Sequence, residues 1–332
     1  MPESSNTLNR ILTGMLLLVI VIGMILLGFR IMSDGSDKDD KNPYEYDIST
    51  LKKIDPELIH YSEVQSIKID SKQLNGIAVG PGDRIYVSGD TTMHILQKDG
   101  KELFAIDLKE PARCIALDEH RNIYLGMLDH VEVYDSSGNK KGTWESLGEN
   151  AHITSIAVSS ENVFVADAGN RVVLRFDDSG KLQNRIGEKD VGREIRGFLI
   201  PSPYFDVAVA KDGFLWVVNP GYHAFENYTN EGDLRSWWEK ASMDIEGFCG
   251  CCNPTHFAIL GDGSFVTSEK GIVRVKIHNQ VGNFVSVVAG PDHFEEDTVG
   301  LDLAVDSSGR ILVLDPKTRS VRVFVKKQNS RD

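Results

Sequence analysis

The chain has little positive charge to spare. Thirty-six Lys and Arg face 49 Asp and Glu, a net charge of −13. Without a basic stripe nothing releases counterions from phosphates, which excludes nucleic acid as a partner. No nucleophile elbow, zincin helix or phosphate-binding glycine loop occurs anywhere. Cysteine is scarce: four residues, of which Cys249, Cys251 and Cys252 fall in one short stretch, "GFCGCCNPTH".

Long apolar runs are scarce too, with one exception. Residues 11 to 29 read "ILTGMLLLVIVIGMILLGF", uncharged and bounded by Arg10 and Arg30. About 20 apolar residues cross a bilayer core. The sequence that follows offers neither a convincing cleavage site nor a lipoprotein cysteine. Residues 11–30 are therefore expected to be a retained transmembrane signal anchor after a short tail, 1–10. Residues 31–58 form a polar, acidic linker, and the bulk of the chain, 59–327, lies in the periplasm or outside the cell. Residues 328–332 close the chain as a tail. The membrane, through the N-terminal helix, is thus one partner, and another membrane or extracytoplasmic protein is the second expected one.

A four-residue pattern then organises the rest: any residue, apolar, Ala, apolar. It recurs as "GIAV", "CIAL", "SIAV", "DVAV", "HFAI" and "DLAV", with its alanines at 78, 116, 157, 208, 258 and 304. The spacings are 38, 41, 51, 50 and 46 residues. Each copy continues into a turn, a short apolar run, a loop and alternating strands. Four short strands per repeat are the mark of propeller blades, so six copies imply a six-bladed, all-β propeller. The small Ala suits inner strands that crowd the axis. The last repeat has three clear strands, and the unassigned strand at 61–70 is expected to supply its fourth by pairing with 319–327.

The third repeat, "VFVADAGNRVVLRFDDSGKLQNRIG", with Asp167, Gly169 and Asn170, resembles an NHL repeat. The stretches "PSPYFDVAV", "NPGYH", "GFCGCCNPTH" and "VTSEKG" are similar to those of bacterial membrane-anchored NHL-repeat proteins. That resemblance implies the six-bladed fold over about 60–327 and carries no activity. Lactonases and a peptide-amidating lyase share this architecture, but fold alone transfers no function. The channel positions here hold no matching calcium or multi-histidine set.

The leading residues of the six patterns are Gly76, Cys114, Ser155, Asp206, His256 and Asp302. All enter from the face that carries the cysteine loop. Cys114 in blade 2 thus holds the place of His256 in blade 5, and Cys249, Cys251, Cys252, Cys114 and His256 are expected at one channel mouth. Three readings stay open for them: a disulfide, expected outside the cytoplasm; a transition-metal centre of Zn, Cu or Fe–S type; or free thiols. Asp206, Asp302, Asn219, His223, Glu269 and Lys270 complete the rim as ligand- or partner-binding candidates. Asp206 and Asp302 equally suit capping of backbone amides at strand starts. The leading function is a membrane-tethered propeller that binds a partner or ligand on this face. The alternatives are a redox or metal-binding accessory of a membrane electron-transfer system, and a propeller hydrolase or lyase.

Overall fold

The computed structural model describes residues 48–328 and, before them, residues 14, 15, 18, 19 and 21–24. The expected tail 1–10, most of the anchor, residues 31–47 of the linker and residues 329–332 lie outside the described residues. Those few described within the apolar run are helical. Among the described residues no helix is long and apolar enough to cross a membrane.

Residues 61–326 form six four-stranded antiparallel sheets. Five blades take their strands in sequence order, inner to outer. The inner strands are Leu74–Gly80, Cys114–Leu117, Ile153–Val158, Val207–Val209, His256–Ile259 and Asp302–Val305. They carry the six alanines, and all six alanines line the axial channel, as the small-residue pattern predicts.

The sixth blade closes the ring. Its strands Asp302–Val305, Ile311–Asp315 and Ser320–Lys326 are completed by Tyr61–Lys68, with Tyr61 opposite Lys326 and Lys68 opposite Ser320. A bulge between Glu63 and Gln65 turns Val64 out to solvent. Arg322 forks onto Glu63, its Nη2 2.5 Å from Oε2 and its Nε 3.2 Å from Oε1, which ties the propeller's first strand to its last.

Each junction between neighbouring blades has its own apolar cluster. The joint between blades 6 and 1 packs Ile67, Leu312, Leu314 and Val321 on Ile77, Ile85 and Val87. The joint between blades 4 and 5 is aromatic: Phe225, Trp238, Phe248, Phe257 and Phe265. Period-two alternation explains this, since successive side chains of a strand face the two neighbouring blades.

The turn that carries the NHL resemblance has a plain physical cause. Asp167 accepts from the backbone N–H groups of His152, Gly169 and Asn170, and from the Asn170 side chain. A Cβ at Gly169 would stand 1.9 Å from the Asn150 carbonyl oxygen, so only glycine fits.

The closing strand tests this account. Ile67→Ala empties a buried site in the joint and should cost about 2–4 kcal/mol in urea unfolding. Val64→Ala, on the bulge of the same strand, should stay within about 0.5 kcal/mol. Equal losses at both positions would contradict the closure described.

Candidate functional site

The channel, of about 330 Å³, is lined by all six inner strands. At its mouth the leading residues do two things. They staple blade to blade: Ser155 Oγ accepts from Val207 N of blade 4, Asp206 Oδ2 from Phe257 N of blade 5 at 2.8 Å, and Asp302 Oδ2 from Ile77 N of blade 1 at 2.8 Å. Each Asp also accepts from its own strand, through Val207 N and Leu303 N. The amide-capping role weighed for these aspartates is therefore real.

They also converge. His256 Nδ1 stands 3.7 Å from Asp206 Oδ2 and 3.6 Å from Asp302 Oδ1, ion-pair distances just beyond hydrogen-bond reach. One ligand atom from each of Asp206, His256 and Asp302 lies within 4.8 Å of the others, and among the described residues no other group of three metal-ligating side chains converges in this way. Burial works against charge on the His256 ring, but Asp206 and Asp302 outweigh it and hold its pKa above the ordinary value. Burial pushes Asp302 up to about 6; His256 opposes the rise and the like charge of Asp206 adds to it.

The expected five-member cysteine–histidine centre does not form. His256 turns to the two aspartates instead. Cys114 does line the channel, but its Sγ packs where a Gly126 side chain would be, in the core between blades 2 and 3. Burial, with Asp302 and Asp206 nearby, keeps its thiol protonated. Cys249 lies beside Arg274, 4.0 Å from Nη2. Cys251 and Cys252 form a separate pair. All four cysteines are unbridged thiols.

The cysteine loop is fixed from below. Phe248 buries itself against Phe225 and Trp238, Lys276 Nζ donates to the carbonyls of Ile245 and Gly247, and the neutral His278 ring reaches the carbonyl of Glu246. Burial and the Lys276 charge pull His278 down to about 3. From above, Asn253 donates to the carbonyls of Cys249 and Lys270 and accepts from Lys270 N, while His223 Nδ1 donates to the carbonyl of Asn253 at 2.8 Å. His223 is thus a loop staple in a left-handed backbone position rather than a free rim group.

Two more rim candidates prove to be interior. Asn219 is fully buried and bonds Leu199 N, the Gly197 carbonyl and Glu226. Glu269 is buried between two cations, Lys276 at 2.7 Å and Arg274 at 2.8 Å. Asn219 ends a buried strand and Glu269 follows one directly, and both are held inside by their buried partners. Burial lowers Lys276 to about 8, with Glu269 opposing. Of the four loop candidates Asn219, His223, Glu269 and Lys270, it is Lys270 that stays on the rim, where its Nζ donates to Ser202 Oγ and lies 5.0 Å from the Tyr204 ring centroid.

Sequence reasoning missed Ser202, Tyr204, Arg274 and Lys276. The last two had a signal: alternate charges in the otherwise apolar "VRVKI". Tyr204 had only its place just before Asp206; its ring meets the His256 ring edge-on, centroids 5.8 Å apart.

No family model matches the chain, and no curated protein matches it. Solved structures are similar in fold. A structural-genomics protein of unknown function from Bacteroides thetaiotaomicron VPI-5482 shares 14% identity, with TM-score 0.60 over 80% of this chain and 72% of that one. A streptogramin B lyase shares 8%, with TM-score 0.57 over 80% and 98%. The virginiamycin B lyase of Staphylococcus aureus shares 12%, with TM-score 0.53 over 76% and 81%. At these identities the likeness extends to the propeller alone.

Two predictions follow from the buried charges. The folded chain holds the Asp302 and His256 protons more tightly than the unfolded chain does, so stability falls as pH rises. In chelator, Asp302 accounts for a loss of about 1–3 kcal/mol between pH 4 and 6. The His256 share persists to pH 6.5 and is lost as pH rises through its folded value. Urea titrations of Asp302→Asn should flatten the lower limb, and of His256→Gln the upper; unchanged profiles would rule out the coupling. Separately, Glu269→Ala leaves two buried cations without their anion and should cost about 3–5 kcal/mol, a loss that the same urea titration measures at neutral pH.

Proposed function

We propose that the chain is a membrane-tethered NHL-type propeller, standing outside the cytoplasm, that binds a divalent cation at its channel mouth and presents it to a ligand or partner protein on that face. Asp206, His256 and Asp302 are the ligands. The observation that carries this reading is their convergence within 4.8 Å. Ligand atoms about 2.0–2.2 Å from one ion stand at most about 4.4 Å apart, so the trio needs only a slight closure.

The protonation of the site supports it. Two carboxylates share one channel mouth, and both His256 and Asp302 keep their protons to higher pH than usual there. A divalent ion would replace those protons and remove the repulsion between the carboxylates. Two carboxylates and one imidazole suit Zn²⁺ or Mn²⁺, whereas Cu(I) and iron–sulfur centres want thiolates, which lie elsewhere. The anchor rests on the uncharged run 11–29, and the NHL assignment on the Asp167–Asn170 turn. A hydrolase or lyase role rests on the shared propeller architecture alone and gains no residue from it.

Calorimetric titration of chelator-stripped protein with Zn²⁺ and Mn²⁺ tests the site. Binding should release about one proton per ion near pH 6, read from two buffers of different ionisation enthalpy. Asp302→Asn should weaken it by at least about tenfold. Absence of binding at millimolar ion, or full affinity in the variant, would reduce the trio to a blade-to-blade staple.

A further inference from the structure

The cysteine loop carries a second site that does not depend on the cation reading. Cys251 is exposed and Cys252 buried, and their Sγ atoms are 3.1 Å apart. A disulfide bond is about 2.05 Å long, so closure needs about 1 Å of movement. Asn253, the next residue, holds the backbone N–H and carbonyl of Lys270, which fixes the Lys270 ammonium and its Ser202 partner beside Cys252.

The two thiols have opposed surroundings. Burial alone would push the Cys252 thiol up, but Ser202, Cys251 and Lys270 more than offset it and favour its thiolate. Cys251 is shifted the other way, chiefly because it hydrogen-bonds Cys252. One sulfur is therefore accessible and the weaker acid, and the other is shielded and the stronger acid.

We propose that Cys251 and Cys252 form a redox-active dithiol that exchanges with an external disulfide. The Cys252 thiolate takes the Cys251 proton as the Cys251 sulfur attacks the substrate and breaks its S–S bond. The first leaving thiolate takes that proton from Cys252. The Cys252 thiolate then attacks the Cys251 sulfur and expels the second substrate thiolate into solvent. Two electrons pass from the dithiol to the substrate, leaving a Cys251–Cys252 bridge. Adjacent Cα atoms lie about 3.8 Å apart, below the usual disulfide range of about 4.4–6.8 Å, so this bridge is strained and easily reduced again. Cys249 and Cys114 take no part.

The test uses the full-length protein in detergent, reduced and then treated with glutathione disulfide, with thiols counted by alkylation and mass spectrometry. The wild type should lose two thiols and retain no glutathione. Cys252→Ser should trap glutathione on Cys251, Cys251→Ser should react at least about tenfold more slowly, and Cys249→Ser should match the wild type. Lys270→Met, which keeps both sulfurs, should slow the wild-type reaction by roughly tenfold. Disulfide-bonded insulin forms a second arm: reaction with glutathione disulfide alone assigns a small-molecule substrate, and reaction with insulin as well a protein one. Loss of the bridge in Cys249→Ser, a stable glutathione adduct on the wild type, or no thiol lost with either substrate overturns the proposal.

Discussion

Everything in this molecule depends on one antiparallel strand pairing. Tyr61–Lys68 lies along Ser320–Lys326 and completes the sixth blade with residues more than 250 positions away in sequence. An open ring would leave the edge of that blade exposed, and exposed edges recruit other chains. It would also let the blades splay, and the side chains at the channel mouth come from several blades. Asp302, on blade 6, bonds the backbone of blade 1 directly across the closed joint. Closure thus fixes the position of a candidate ligand as well as the fold.

The same economy governs the leading positions of the inner strands. Near the axis the strands crowd: a Cβ at Gly76 would stand 3.0 Å from the Cys114 Cα. Backbone amides there need acceptors that a narrow channel cannot supply as bulk water. Asp206 and Asp302 supply them, and in doing so they bring two carboxylates to one mouth. His256 stands between them in sequence and in space, on the blade between theirs. Structural satisfaction of amides and concentration of charge are here one arrangement.

That arrangement also shows how far the sequence can be read. The Ala repeat revealed six blades, because a small residue at the axis is a demand of the architecture and recurs with it. The missing fourth strand of the last blade was legible for the same reason. The site was legible only in part. Equivalent positions in the repeat give depth along the axis, so Cys114 and His256 were rightly placed in the channel lining. They do not say which way each side chain turns there. Blades 4, 5 and 6 are adjacent, so His256 meets Asp206 and Asp302, whereas Cys114 on blade 2 packs toward blade 3. The cysteine loop stays apart from Cys114 because its position is set by Phe248 and Lys276, of which only the Lys276 charge left a trace in the sequence. Glu269 was misplaced by the same blindness: its border position suggested a rim, and its two cationic partners lie five and seven residues on.

One segment joins the two candidate sites. Residues 201–206, "PSPYFD", hold two prolines that restrict the backbone between them. Ser202 bonds Lys270 beside Cys252; Tyr204 lies under the Lys270 ammonium and against the edge of the His256 ring; Asp206 faces that ring. A displacement of this segment would therefore be felt at both ends. The charge on Lys270 favours a thiolate at Cys252, and its cation–π contact with Tyr204 sets where that charge sits. Tyr204 in turn limits the space on one side of His256. The loop that bears the thiols and the strand that bears the histidine are consecutive in sequence, yet their geometry is coordinated by a third stretch about fifty residues earlier, carried round by the neighbouring blade.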